Sequence, residues 1–261
     1  MYKRLKTLVV VLEKNTKIFY HFTTNTAIFN MQGELLVEVR NNFIQTASKW
    51  CSDLNVLQAH LHINRQCDNG FMVAIGGRND RNYGESLYKA VDIKKDNLKE
   101  FTLCKLRVCK HSNIIFNSWV TRYIDIFKNW TQEISIIPKS LFKLQNDYYT
   151  TQFIAYGFVA KPHVDHDINS YTVAYCIDRK EGIKGGDFIM NDYNISIEMR
   201  SKSIWLFNSD EYHATSELLS DTISTRNRMI GVLTCPKSLL YDYKNITVKD
   251  IDCEVKKLNK K

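Results

Sequence analysis

The chain has 261 residues, 44% hydrophobic and 12% aromatic, enough apolar material for a full core and too much for a disordered polypeptide. Its 36 Lys and Arg against 28 Asp and Glu give a net charge of +8 and favour an anionic partner such as nucleic acid. At the N-terminus, basic residues precede an apolar run that is continuous only from Leu8 to Leu12. That is too short for a signal peptide, and no run approaches the roughly 20 residues of a membrane helix, so an intracellular protein is expected, nuclear in a eukaryote.

In chain order, "TLVVVLE", "ELLVEV" and "FMVAIGG" read as strands, with a helix around 42 to 62. Residues 1–110 are therefore expected to form a strand and helix extension packed on the rest of the chain. Seven cysteines without a CxxC pair argue against a disulfide framework; Cys104, Cys109 and His111 make at most half a zinc site, and buried reduced thiols are expected. From Ser112 onward, Ile115, Trp119, Tyr123, Ile126, Phe127 and Trp130 recur at three- and four-residue spacing. This predicts a helix laid against a sheet, and at that spacing the aromatic stripe is core and not a base-stacking platform.

After a short helical piece near 138 to 146 the period changes. "YTTQFIAYGFVA", "SYTVAYCI", "GDFIMN", "YNISIEM", "KSIWLFN", "YHAT" and "RMIGVLT" follow one another with short polar connections and no helix between them. Such strands, rich in β-branched and aromatic residues, predict an antiparallel sandwich or jelly roll. The mainly β core is assigned to 111–240, with flanking helices on one sheet, and 241–261 reads as a basic tail.

The stretch "PHVDHD" at 162–167 places four ionisable side chains just after a strand. In an extended segment His163 and Asp165 point one way, while Val164 and His166 point the other. An imidazole and a carboxylate at this spacing can share one metal ion, and His213, after "SIWLF", is the candidate third ligand. Two histidines and a carboxylate on one face of an octahedral ion leave three positions open, the arrangement of non-haem Fe(II) oxygenases. Arg228, at the head of "RMIGVLT", shares a face with Ile230 and Val232, and its planar fork suits the distal carboxylate of a co-substrate such as 2-oxoglutarate; Arg226 is the fallback.

On these residues, segment 150–235 resembles the double-stranded β-helix core of the Fe(II)/2-oxoglutarate dioxygenases. "KGGDF" at 184–188 resembles the turn that opens the second half of that core, and "SIWLFNSDEYHA" the strand and loop that deliver the distal histidine. Within that superfamily, "TQFIAYGFVAKPHVDHDINSYTVAYCI" and the "RxxxVL" ending resemble the TET/JBP-like branch. The resemblance implies Fe(II), 2-oxoglutarate and O2 as cofactor and co-substrates. It implies oxidation of the methyl group of 5-methylcytosine or thymine in nucleic acid, DNA above all, with Asp167 and Asn169 either reading the base or serving as hydrogen-bonding groups of a structural loop.

Ile230 stands where many members carry a small polar residue beside the co-substrate, and "RSKS" stands for the usual Pro-Gly-Asp turn. Asp165 itself argues for hydroxylation, since related halogenases have a small residue in its place. A hydroxylase of protein side chains or small molecules, and a basic nucleic-acid-binding jelly roll without turnover, remain open at this point. A cupin is disfavoured by the absence of a His-x-His pair.

Overall fold

The computed structural model describes residues 6–45, 47–60, 65–67, 70–76, 98–128, 149, 151–165, 167, 170–219 and 228–235. In chain order the elements are β1 (Leu8–Leu12), β2 (Tyr20–Phe22), β3 (Thr26–Asn30), β4 (Leu35–Arg40), α1 (Ala47–His60), β5 (Arg65–Cys67), β6 (Gly70–Gly76) and α2 (Leu98–Arg122). Then come β7 (Thr151–Tyr156), β8 (Tyr171–Arg179), β9 (Lys184–Gly185), β10 (Phe188–Met190), β11 (Ile195–Ile197), β12 (Ser203–Asn208), β13 (His213–Thr215), β14 (Leu218–Leu219) and β15 (Arg228–Thr234).

Two sheets face one another. The larger runs β1-β3-β4-β12-β8-β15-β7-β6-β5 and the smaller β13-β10-β11-β2, with a short β14-β9 pair beside them. From β7 the chain passes to an antiparallel bridge between His163 and His213, which extends the small sheet beyond β13. It returns to β8 in the large sheet, crosses to β10 and β11, returns at β12, crosses again to β13 and ends at β15 in the large sheet. Each crossing is short because a strand with one apolar face on each sheet needs only a turn to change layer.

The large sheet is covered on both sides. On one face, α1 and α2 bury Trp50, Leu54, Val108, Phe116 and Trp119 against Tyr175, Ile177, Leu206 and Leu233. On the other, the small sheet encloses Ala174, Cys176, Phe188, Ile195, Trp205, Phe207 and Ile230. That double cover explains why β8 is buried over Thr172–Ile177 without alternation, and why "TVAYCI" is a continuous apolar run. Each fully buried large side chain contributes about 2–3 kcal/mol.

The aromatic stripe behaves as core. Ile115, Phe116 and Trp119 are buried on α2, and Tyr123, Ile126 and Phe127 continue onto the same cluster past its end, held by bonds from Tyr123 N–H to Trp119 O (2.8 Å) and Phe127 N–H to Tyr123 O (3.3 Å). Glu38 of β4 locks helix to sheet: buried, it accepts from Arg40 Nε (3.0 Å), Arg122 Nε (2.9 Å) and the Tyr123 hydroxyl. Trp130, the 138–146 segment and the 241–261 tail lie outside the described residues.

Residue 110 falls inside α2, and the N-terminal strands pair directly with the core: β1, β3 and β4 extend the large sheet beyond β12, β5 and β6 extend it beyond β7, and β2 pairs with β11 in the small sheet. These edges were open for pairing, and backbone hydrogen bonding across them binds both ends of the chain into one pair of layers. Cys104 and Cys109 are buried in the helix-to-sheet core, Cys104 accepting from Arg107 at 3.1 Å, while His111 stacks on Trp50. Among the described residues, no helix is long and apolar enough to cross a membrane.

Candidate metal centre

His163, Asp165 and His213 converge. Their ligand atoms lie within 4.8 Å of one another, with His163 Nε2 3.5 Å from one Asp165 oxygen and His213 Nε2 3.4 Å from the other. The backbone sets this up. His163 and His213 exchange N–H to O=C bonds of 3.0 Å in both directions, and Asp165 N–H donates to Ser209 O at 2.8 Å. Alternation about that bridge then throws both residues of the His-x-Asp pair to one side.

The tautomers follow from the second nitrogens. His163 Nδ1 sits 2.7 Å from Lys161 O and His213 Nδ1 2.9 Å from Glu211 O. A carbonyl only accepts, so each Nδ1 carries hydrogen and each Nε2 of the neutral ring presents a lone pair. Two such lone pairs and a carboxylate facing one another repel unless a cation lies between them. At separations of 3.4 and 3.5 Å, with all three ligand atoms within 4.8 Å, the side chains are near enough to close onto one ion. The donor set therefore fits a first-row divalent metal, with oxygen and imidazole ligands suited to iron.

The centre is walled on one side and open on the other. The His213 side chain is 5% exposed, with Phe207 at 4.8 Å and Phe188 at 5.8 Å between ring centroids, whereas His163 and Asp165 are 43% and 35% exposed. Apolar rings exclude water behind the distal histidine. Ligands enter on the His163–Asp165 side.

Arg228 lies in the layer between the sheets, where Ile230 and Val232 also pack, despite a register shift between Met229 and Ile230. Its guanidinium is buried, and it donates through Nη2 to Phe158 O (2.6 Å) and through Nη1 to Gly186 O. Its Nε–H has no partner, and no carboxylate pairs with it among the described residues. Burial holds this guanidinium down at about 10. The Asp187 carboxylate acts on it through its field without a hydrogen bond, and a buried cation so weakly compensated is costly and would be stabilised by an anion.

Gly186 makes room for this group. Its φ is +70°, and a Cβ there would come within 2.4 Å of Arg228 Nη1. Arg179 fixes the same turn through Gly185 O (2.8 Å), Ile183 O (3.0 Å) and Met199 O (3.2 Å). Two residues after Gly186 comes Phe188, whose ring reaches His213, so one turn connects Arg228 to the cluster of His163, Asp165 and His213. "KGGDF" was visible in the sequence, but which glycine faces the arginine was not.

Asp167 does not face the substrate side. It is 1% exposed, its two carboxylate oxygens accept from the hydroxyls of Thr172 and Thr234, and the Cys235 N–H also donates to it. Burial pushes its carboxyl up to about 7 against those hydrogen bonds. The expected contact to a base is therefore corrected to an internal tether, because the loop turns inward after Asp165 toward polar partners on β8 and β15. Asn169, His166 and Arg226 lie outside the described residues. The two backbone acceptors, Lys161 O and Glu211 O, carry no signal in residue type and were not legible beforehand.

No protein-family model matches the chain, and no curated protein matches it. Among solved structures, NgTET1 in complex with 5mC DNA superposes with a TM-score of 0.63 at 14% identity, covering 94% of this chain and 90% of that one. This chain shares the fold of NgTET1. A 2OG-Fe(II) oxygenase family oxidoreductase from Burkholderia pseudomallei gives a TM-score of 0.44 at 11% identity, over 76% of this chain and 82% of that one. The viral collagen prolyl hydroxylase of Paramecium Bursaria Chlorella virus-1 gives 0.41 at 11% identity, over 76% and 94%. Neither of the last two scores carries an argument, and the likeness to NgTET1 establishes fold alone.

Proposed function

We propose that this protein is an Fe(II)/2-oxoglutarate-dependent dioxygenase that oxidises the methyl group of 5-methylcytosine, or of thymine, in nucleic acid, with DNA the favoured substrate. The alternation of the chain between two sheets is read as a double-stranded β-helix. The observation that carries the enzymatic reading is the pairing of a two-histidine, one-carboxylate face with a buried, weakly compensated arginine. A metal site alone would suit many roles. A metal site and an anion seat joined by one turn suit a chelating co-substrate with a distal carboxylate.

Each part then has a task. His163, Asp165 and His213 would hold the ion, and three protein ligands would leave coordination positions for co-substrate and O2. The backbone carbonyls of Lys161 and Glu211 keep both imidazoles in the ligating tautomer. Arg228 takes the distal carboxylate of 2-oxoglutarate on its free Nε–H edge, while its other nitrogens remain on Gly186 and Phe158. Phe188 and Phe207 keep water from the buried side of His213. Bound Fe(II), with 2-oxoglutarate and O2, supplies the oxidation of an unactivated C–H bond.

The nucleic-acid reading is supported by the net charge of +8 and by the fold shared with NgTET1, a likeness that takes in the N-terminal strands as well as the core. The test is mass spectrometry of nucleosides from methylated DNA incubated with protein, Fe(II), ascorbate and 2-oxoglutarate. Oxidised cytosine that requires 2-oxoglutarate and is lost in Asp165→Ala supports the reading. If methylated DNA and RNA both stay unmodified while 2-oxoglutarate is consumed on a peptide or small-molecule panel, the substrate is a side chain or metabolite and the nucleic-acid assignment falls.

A further inference from the structure

Asp167 is a fully formed tether with no role in holding metal or co-substrate. It follows Asp165 by two residues, and the ligand loop is already bonded through its backbone, to the small sheet by the His163–His213 exchange and to Ser209, just past β12 of the large sheet, by the Asp165 N–H. Asp167 adds side-chain bonds to strands of the large sheet, where Thr172 of β8 and Thr234 of β15 donate their hydroxyls and Cys235 its N–H. Ser170 completes the turn, its carbonyl accepting from Ser209 N–H at 2.9 Å.

We infer that Asp167, through Thr172 and Thr234, is the positioning residue that fixes Asp165 and His163 for metal binding, by pinning their loop to strands of the large sheet. The inference rests on the metal-centre reading above. Its physical basis is the cost of order: His163 and Asp165 are the more exposed ligands, and an exposed segment tied through its backbone alone still loses conformational freedom when its side chains bind an ion. A tether that has ordered the loop beforehand removes that cost. Groups that orient ligands from behind in this way change metal affinity by about 10–100-fold when lost.

The threonines allow a test that leaves the loop sequence intact. Thr172→Val and Thr234→Val each remove one donor while keeping shape, and Thr172→Ser restores the hydroxyl. Thr26→Val serves as a control: Thr26 is equally buried and its hydroxyl donates to Thr24 O at 3.0 Å, but it sits on β3, away from the loop. Co(II) affinity and the visible spectrum of the Co(II) protein are measured for the full chain, with Tm recorded for each metal-free variant.

Both Thr→Val variants near the loop are expected to bind Co(II) about tenfold more weakly and with an altered spectrum, Thr172→Ser to match the wild type, and Thr26→Val to lose Tm without losing affinity. If Thr172→Val and Thr234→Val lose Tm as Thr26→Val does but keep affinity within about twofold, Asp167 is a core hydrogen-bonding group and the inference is overturned. A wild-type protein that fails to bind Co(II), Fe(II) or Mn(II) would instead overturn the metal centre itself, and the inference with it.

Discussion

Replacement of Arg228 by methionine deletes a guanidinium that is 1% exposed and keeps a flexible side chain of similar length between the sheets. Burial holds that guanidinium down at about 10, well below its ordinary range, and the difference corresponds to roughly 3 kcal/mol of unfavourable desolvation. An arriving carboxylate can recover this amount, which agrees with the roughly 2–5 kcal/mol seen when one partner of a buried charged pair is truncated. Affinity for 2-oxoglutarate should therefore fall by on the order of a hundredfold. Stability of the ligand-free protein should move much less. Losing the buried charge is favourable, while the Gly186 and Phe158 carbonyls left without a donor cost about 1–3 kcal/mol each, so the two effects largely cancel. The assay is calorimetric titration with 2-oxoglutarate on the Mn(II)-loaded protein, paired with thermal unfolding. Wild type should gain Tm with added 2-oxoglutarate and the variant should gain none. An Arg228→Met protein that binds 2-oxoglutarate within about threefold of wild type would refute the reasoning. If Arg226→Met is the variant that loses affinity, the anchoring role belongs to Arg226.

Gly186→Ala should weaken 2-oxoglutarate binding and lower Tm together, because the new Cβ meets Arg228 Nη1 and the residue must hold a φ of +70°; unchanged affinity in a folded variant would mean that the arginine does not depend on this turn. Asp165→Ala should abolish stoichiometric Fe(II) binding and turnover with little change in unfolding free energy, since this side chain is 35% exposed, and chelation followed by Fe(II) should inactivate and restore the wild type. Full binding by Asp165→Ala would remove the carboxylate from the ligand set. Glu38→Ala strands Arg40 and Arg122 beside a buried site and should cost about 3–5 kcal/mol of stability in urea titrations, in line with breaking a buried ion pair. A loss below about 1 kcal/mol would place this cluster with ordinary surface pairs.

The sequence by itself determined the core strands and singled out the three residues that converge in the candidate metal centre. Strand pattern is a local property: "SYTVAYCI", "KSIWLFN" and "RMIGVLT" carry enough β-branched and aromatic residues to be extended wherever they pack, and β8, β12 and β15 are those segments. His163 and Asp165 were legible for the same reason, since two-residue alternation fixes their common direction before any tertiary contact forms. Even His213 was within reach, because a histidine just after a strand is rare enough in this chain to single out.

Tertiary structure decided what faces these residues. Asp167 has the same parity as Asp165 and the same chemistry, and nothing local distinguishes a carboxylate that meets a base from one that meets Thr172 and Thr234 on strands far along the chain. Of the N-terminal strands, β1, β4 and β6 were legible as apolar runs while β2, β3 and β5 were not, and pairing was decided elsewhere: β1, β3 and β4 join the large sheet beyond β12, while β2 joins the small one. Pairing depends on which backbone edges are left open when the core forms, and an open edge has no residue type. The same holds for the tautomer-fixing carbonyls of Lys161 and Glu211 and for the glycine that faces Arg228. Side-chain chemistry is written in the sequence, whereas the partner that a backbone group or an inward-turned side chain meets is set only when distant strands close over it.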